Sequence, residues 1–315
     1  MTWALVALLG YFFAAVSSVF DKYLLSDRIP APAVYAFFVS LFSLFTVVFI
    51  PFGFSFSTWR TTGILLLSGV LFVYGLVALY TAVKQHEVSR VAPLVGAVIS
   101  LVAFSTVFLP GLLEGNVELW PLLALGLLIA GGLLISFDLP LRRGEHISRF
   151  VVVAGVLMGV SLLLLKAGFG ESNFVSGLVW SRFGMVLGGL SLLCIPLYRN
   201  DIVAQFRVSA KNPKKKKRAL GTSVLFLLNK SSAGIASFLV TYALSLGSVA
   251  FVQALSGMQY VFILVMTLGL SFRFHHIFGE RLFFWDWVQK LVAILIIGAG
   301  LWLATMSGVP LLLPV

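Results

Sequence analysis

The chain has 315 residues, of which 60% are apolar and 10% charged, with a mean hydropathy of +1.07 and a net charge of +11. Soluble domains run at roughly 45–50% apolar and ~25% charged, so the composition excludes a water-soluble globular protein and makes lipid the solvent for most side chains. The basic excess does not indicate nucleic acid, because the lysines and arginines fall in short gaps between apolar segments, as anchoring at a membrane surface requires.

Ten stretches reach the ~20 apolar residues that a helix needs to cross hydrocarbon. The first, 3–25, has no basic residues before it and no small-residue cleavage site after it. It is therefore expected to be a retained span rather than a signal peptide. Spans follow at 33–51, 62–83, 91–113 and 119–138, and then at 149–168, 174–198, 220–246, 248–271 and 285–307. Prolines punctuate several ends, among them Pro51, Pro110, Pro140 and Pro196. Trp59, Trp120, Trp285 and Trp287 fall where an interfacial aromatic belt belongs. The longest polar stretch, Arg199 to Ala219, is expected to be a basic loop too short to fold alone. The lone cysteine, Cys194, allows no intramolecular disulfide.

Seventeen of the 22 Lys and Arg residues occupy every second gap. They are Lys22 and Arg28; Lys84 and Arg90; Arg142, Arg143 and Arg149; Arg199, Arg207, Lys211, Lys214–Lys217 and Arg218; and Arg273 and Arg281. The opposite gaps hold Arg60 and Lys166 with the acids Glu114, Glu118 and Glu171. Basic residues resist translocation, which makes the odd gaps cytoplasmic and both termini external. An inner membrane of bacterial type is the expected location.

The two halves echo each other at an offset near 145 residues. Ile50-Pro51 recurs as Ile195-Pro196, Tyr35 aligns with Trp180, and Lys22 aligns with Lys166 through a single gap. Further along, Ala78–Ala82 matches Leu239–Ala243, Val91-Ala92 matches Val249-Ala250, and Glu114 matches Glu280. Five spans per half is an odd number, so the second half is expected to lie inverted, which is a transporter signature. The expected division is a first repeat over 1–138, a basic linker over 139–148, a second repeat over 149–307 with the basic loop 199–219 inside it, and a tail over 308–315.

With five-plus-five spans, the run Ala78–Val83, Leu112-Leu113-Glu114 and Phe278-Gly279-Glu280-Arg281, the chain resembles the EamA-type drug/metabolite transporters. The Gly-rich ends at 130–134 and 297–301 add to the likeness. The resemblance covers nearly the whole chain. It implies an all-α integral membrane fold of ten helices, two inverted five-helix repeats around a central cavity lined by spans one, three, four, six, eight and nine. It also implies cytosolic termini, against the charge pattern. The chain departs from the family with Leu rather than Gly before Glu114, and with a longer gap between spans nine and ten that carries His275-His276.

No enzyme is expected. No His, Cys or carboxylate cluster has metal-ligand spacing, and neither a phosphate loop nor a nucleophile elbow occurs. Polar groups inside spans are costly and default to function. These are Lys230 and Asn229 in span eight, Arg182 and Trp180 in span seven, Lys166 in span six, and Lys22 at the end of span one. Gln253, Gln259 and Tyr260 in span nine, and Tyr74 and Tyr80 in span three, complete the candidate substrate-binding set. Lys166 has a local alternative, pairing with Glu171. Lys230 and Arg182 have no evident carboxylate, so an anionic cargo is expected to compensate them. Small residues such as Gly96, Gly234 and Gly257 are expected to let the helices rock against one another. The expected partners are membrane lipids and a small organic molecule, with no nucleic acid, cofactor or metal. The leading expectation is a secondary transporter working by alternating access. The alternatives are a lipid-linked substrate flippase, which would use Lys22 and Lys166 as an interfacial groove, and a non-transporting scaffold.

Overall fold

A computed structural model describes residues 2–27, 31–85, 88–105, 119–136, 149–209, 213–247 and 255–271, with scattered positions in 249–252 and 288–303. Among the described residues the chain is helical, with no strand. Hydrocarbon offers no hydrogen bonds, so a spanning backbone must satisfy its own polar groups, and helices do so.

In chain order the helices are α1 (Thr2–Asp27), α2 (Pro32–Phe42), α3 (Trp59–Gln85), α4 (Val88–Ser105), α5 (Leu119–Ser136), α6 (Arg149–Gly170), α7 (Phe174–Ser191), α8 (Pro196–Ser209), α9 (Pro213–Leu246) and α10 (Gly257–Ser271). Six segments are long and apolar enough to cross a membrane: Trp3–Asp21, Pro32–Phe52, Trp59–Gln85, Arg149–Gly170, Phe174–Cys194 and Val224–Leu246. The protein is therefore a membrane protein, and these six are the first three expected spans of each half. Expected spans four, five and nine correspond to the shorter α4, α5 and α10. Most of span ten lies outside the described residues.

Two expectations about local structure are corrected. Residues 199–219 are not a loop: α8 occupies Pro196–Ser209, and α9 starts at Pro213 with the lysine run inside its first turns. A run of lysines is compatible with helix, and Pro at the first helical position costs nothing. Span two is not one α-helix. It changes at Ser43 to a 3-10 helix that runs to Phe52 and closes on Gly53 at φ +102°, a conformation that favours glycine. Ten residues of 3-10 helix is long for this form.

Asn173 caps α7 by accepting from the Ser176 amide at 2.8 Å, and its own amide donates to Gly53 O at 2.9 Å. Ser176 Oγ donates to Ser55 O at 2.9 Å. The link after span two is thereby tied to the start of α7.

Helix packing concentrates on a few pairs: α3 against both α6 and α7, α1 against α9, and α4 against α6. Without a hydrophobic force between helices in lipid, close packing depends on small residues. At Gly69 a Cβ would stand 2.0 Å from Ser181 O, and at Gly184 it would stand 2.2 Å from Leu66 O. The α3 and α7 backbones therefore touch. On the other flank of α3, Ser68 and Ser161 each donate to the other's carbonyl at 2.8 Å, which joins α3 to α6. The expected role of Gly234 is corrected, since a Cβ there meets nothing within 4 Å. Trp59 and Trp120 are largely exposed, as lipid or interface contact requires.

Candidate substrate site

The polar residues of spans one, two and eight converge on one carboxylate. Asp21, six residues before the end of α1, is the acceptor. Lys230 Nζ donates to its Oδ1 at 2.9 Å, and Lys230 is 5% exposed. The Tyr35 hydroxyl and the Asn229 side-chain amide donate to the same oxygen. Ser17 Oγ donates to Asn229 Oδ1 at 2.8 Å. One turn separates Ser17 from Asp21, so both lie on the α1 face that meets α9.

The expectation that Lys230 lacks a carboxylate is therefore overturned: Asp21 compensates it. The helix is the physical reason. The apolar run weakens at Asp21, but α1 continues to Asp27, so Asp21 remains on a buried helical face rather than entering a gap. The four-residue spacing of Ser17 and Asp21 was the available sequence signal. Adjacent Asn229 and Lys230 on the facing helix complete it.

Aromatic rings surround the pair. Lys230 Nζ lies 4.6 Å from the centre of the Tyr35 ring and 5.6 Å from that of Phe226. Tyr80 meets Tyr35 edge to face, 4.8 Å between ring centres. Tyr80 thus belongs to the cluster by packing. Gln259 reaches its edge from α10, donating to Ser18 Oγ at 3.1 Å. Tyr35, which the repeat singled out only as the counterpart of Trp180, is fully buried at its centre.

Arg182 lies apart, midway along span seven. Its guanidinium donates to Met185 Sδ at 3.0 Å and to Ser237 Oγ at 2.6 Å. Ser43, at the α-to-3-10 junction of span two, donates to the Arg182 carbonyl at 3.2 Å. Among the described residues no carboxylate pairs with Arg182. Ser237 is seven residues beyond Lys230 on α9, two helical turns or about 10 Å along the same face. Arg182 and the Asp21–Lys230 pair therefore border α9 at two depths.

Lys166 does something else. Its Nζ donates to Leu244 O at 3.0 Å and Ser245 O at 3.4 Å, satisfying carbonyls at the end of α9. Glu171 instead accepts from the Thr61 hydroxyl, so the local Lys166–Glu171 pair is not formed. Tyr74 pairs with Ser191 at 2.9 Å between α3 and α7. Trp180 packs on Phe54, Phe56 and Phe183, and among the described residues its buried indole nitrogen has no hydrogen-bond partner. The side chains of Lys22 and Tyr260, and Gln253 altogether, lie outside the described residues. Among the described residues no three His, Cys, Asp or Glu side chains gather as metal ligands would.

No protein-family model and no curated protein matches the sequence. Among solved structures the chain is similar to one titled "Crystal structure of protein". The TM-score is 0.63 at 14% identity, over 96% of this chain and 99% of that one. At that identity the likeness shows a shared fold across nearly the whole length.

Proposed function

We propose that the protein is a secondary transporter for a small organic anion, working by alternating access between two inverted five-helix halves of the EamA type. Arg182 carries the reading. A guanidinium in mid-span has five donors, and among the described residues its partners, a thioether and a hydroxyl, are neutral. A half-buried cation inside a membrane span that lacks a counter-ion is costly. A carboxylate or phosphate on the cargo supplies the missing charge in bidentate geometry. Lys230 adds no uncompensated charge, since Asp21 neutralises it.

The inverted repeat is supported by an exchange of partners. If α1 corresponds to α6 and α3 to α9, the α1–α9 contact is the counterpart of α3–α6. Likewise α4–α6 is the counterpart of α1–α10. All four pairs are packed. A soluble cargo is favoured over a lipid headgroup, because Lys166 is spent on the α9 carbonyls rather than on an interfacial groove.

The test is a thermal-shift screen of anionic and cationic metabolites on the purified protein and on Arg182→Ala. An anion should raise the Tm of the wild type and lose that effect in Arg182→Ala. Stabilisation by cations alone, or an anion response that survives the substitution, would overturn the reading.

A further inference from the structure

Lys230 ends in a cage whose composition is that of an ammonium receptor. One wall is a carboxylate, at 2.9 Å, and two more are ring faces, at 4.6 and 5.6 Å. Carboxylate plus aromatic faces is the chemistry that recognises organic ammonium ions, through Coulomb attraction and the ring quadrupole. The walls do not depend on their occupant. Asp21 is held by Tyr35 and Asn229, Asn229 by Ser17, and the Tyr35 ring by Tyr80. These supports come from α1, α2, α3 and α9, so the receptor is assembled by the fold.

We propose that this is a cation site that the chain fills with its own lysine, and that the ligand it takes when Lys230 is cut back is a small primary alkylammonium ion. Truncation to alanine frees a channel the length of the lysine stem, which ethyl- or propylammonium fills. Sodium is a poorer fit, because two of the walls are ring faces where it needs oxygen ligands, and the Tyr35 and Asn229 groups at the site already donate to Asp21. Within the proposed transport cycle Lys230 then acts as a tethered coupling cation: Asp21 is neutralised without an ion from solution. That consequence rests on the transporter reading, whereas the site itself does not.

The experiment uses the full-length protein in detergent with no cargo. Tm is measured for wild type, Lys230→Ala and Lys230→Ala/Asp21→Ala in propylammonium chloride and in sodium chloride of equal concentration. Lys230→Ala should gain several degrees in propylammonium over sodium, while the wild type and the double variant show no difference between the salts. Equal responses of Lys230→Ala to both salts, or equal responses of all three proteins, overturn the proposal. If Lys230→Ala does not accumulate, propylammonium added during expression and solubilisation should restore folded protein where sodium does not. Failure to restore it also overturns the proposal. Because no anionic metabolite is added and chloride is common to both salts, these outcomes are separate from those of the metabolite screen.

Discussion

The contact between α3 and α7 and the contact between α9 and its neighbours α1 and α2 are made in opposite ways. Between α3 and α7 side chains are missing: Gly69 and Gly184 bring main chain onto main chain, and Gly188 extends the contact to Val70. Between span two and α9, rings fill the space. Phe226 meets Tyr35, Phe38 and Phe42, and Phe49 stacks on Phe238 at 5.2 Å. Between α1 and α9 the contact is polar around Asp21, with a glycine approach of Gly10 to Val240 further along. A glycine contact has no rotamers and one geometry. A seam of ring edges can repack at small cost per contact. The rigid seam is therefore at α3–α7 and the adjustable one follows α9, which carries Lys230 and Ser237.

Three substitutions break this comparison, in falling order of effect. Gly184→Leu places a side chain where even a Cβ meets the Leu66 carbonyl at 2.2 Å. The cost should exceed about 4 kcal/mol, and size-exclusion chromatography should show no monodisperse protein. A well-folded Gly184→Leu would mean that α3 and α7 can separate, and the contrast between the seams would fail. Asp21→Ala strands a buried ammonium and should cost about 3–5 kcal/mol, read as a lower Tm. Asp21→Ala/Lys230→Met should recover most of that loss. A double variant as unstable as the single one would assign the effect to packing rather than to charge. Phe49→Leu removes a stacked ring at the adjustable seam and should cost about 0.5–1.5 kcal/mol beyond lost area. Its Tm should fall by only a few degrees, and a collapse like that of Gly184→Leu would make the seam between span two and α9 rigid too.

Six of the ten expected spans were legible in the sequence because hydrocarbon imposes length and composition directly. Starts at Pro32, Arg149 and Phe174 fall within a residue of the expected ones. The site was legible by type but not by pairing. Apolar content locates Lys230 and Arg182 in the membrane, yet it treats Asp21 as the end of a span. The pairing depends on α1 continuing past its apolar stretch and on which face of α9 meets it. Both are packing facts with no one-dimensional signature stronger than the Ser17–Asp21 spacing. Lys166 shows the same limit, since its partners are main-chain carbonyls that carry no residue identity. Glycine content announced close packing. It could not tell Gly184, pressed on a carbonyl, from Gly234, in open space.

The winding of span two has a geometric consequence for the adjustable seam. Residues in an α-helix advance about 100° each, so Ser43 and Phe49, six apart, would point about 120° away from each other. In a three-residue turn they fall on one line. Ser43 reaches the Arg182 carbonyl and Phe49 stacks on Phe238, while Phe45 and Val48, on a different line, face outward. The tighter winding lets a single stripe of span two touch both α7 and α9. Rewinding Ser43–Phe52 to α would shorten it by about 5 Å and rotate that stripe out of register. Span two is geared to the two helices that hold Arg182 and Ser237.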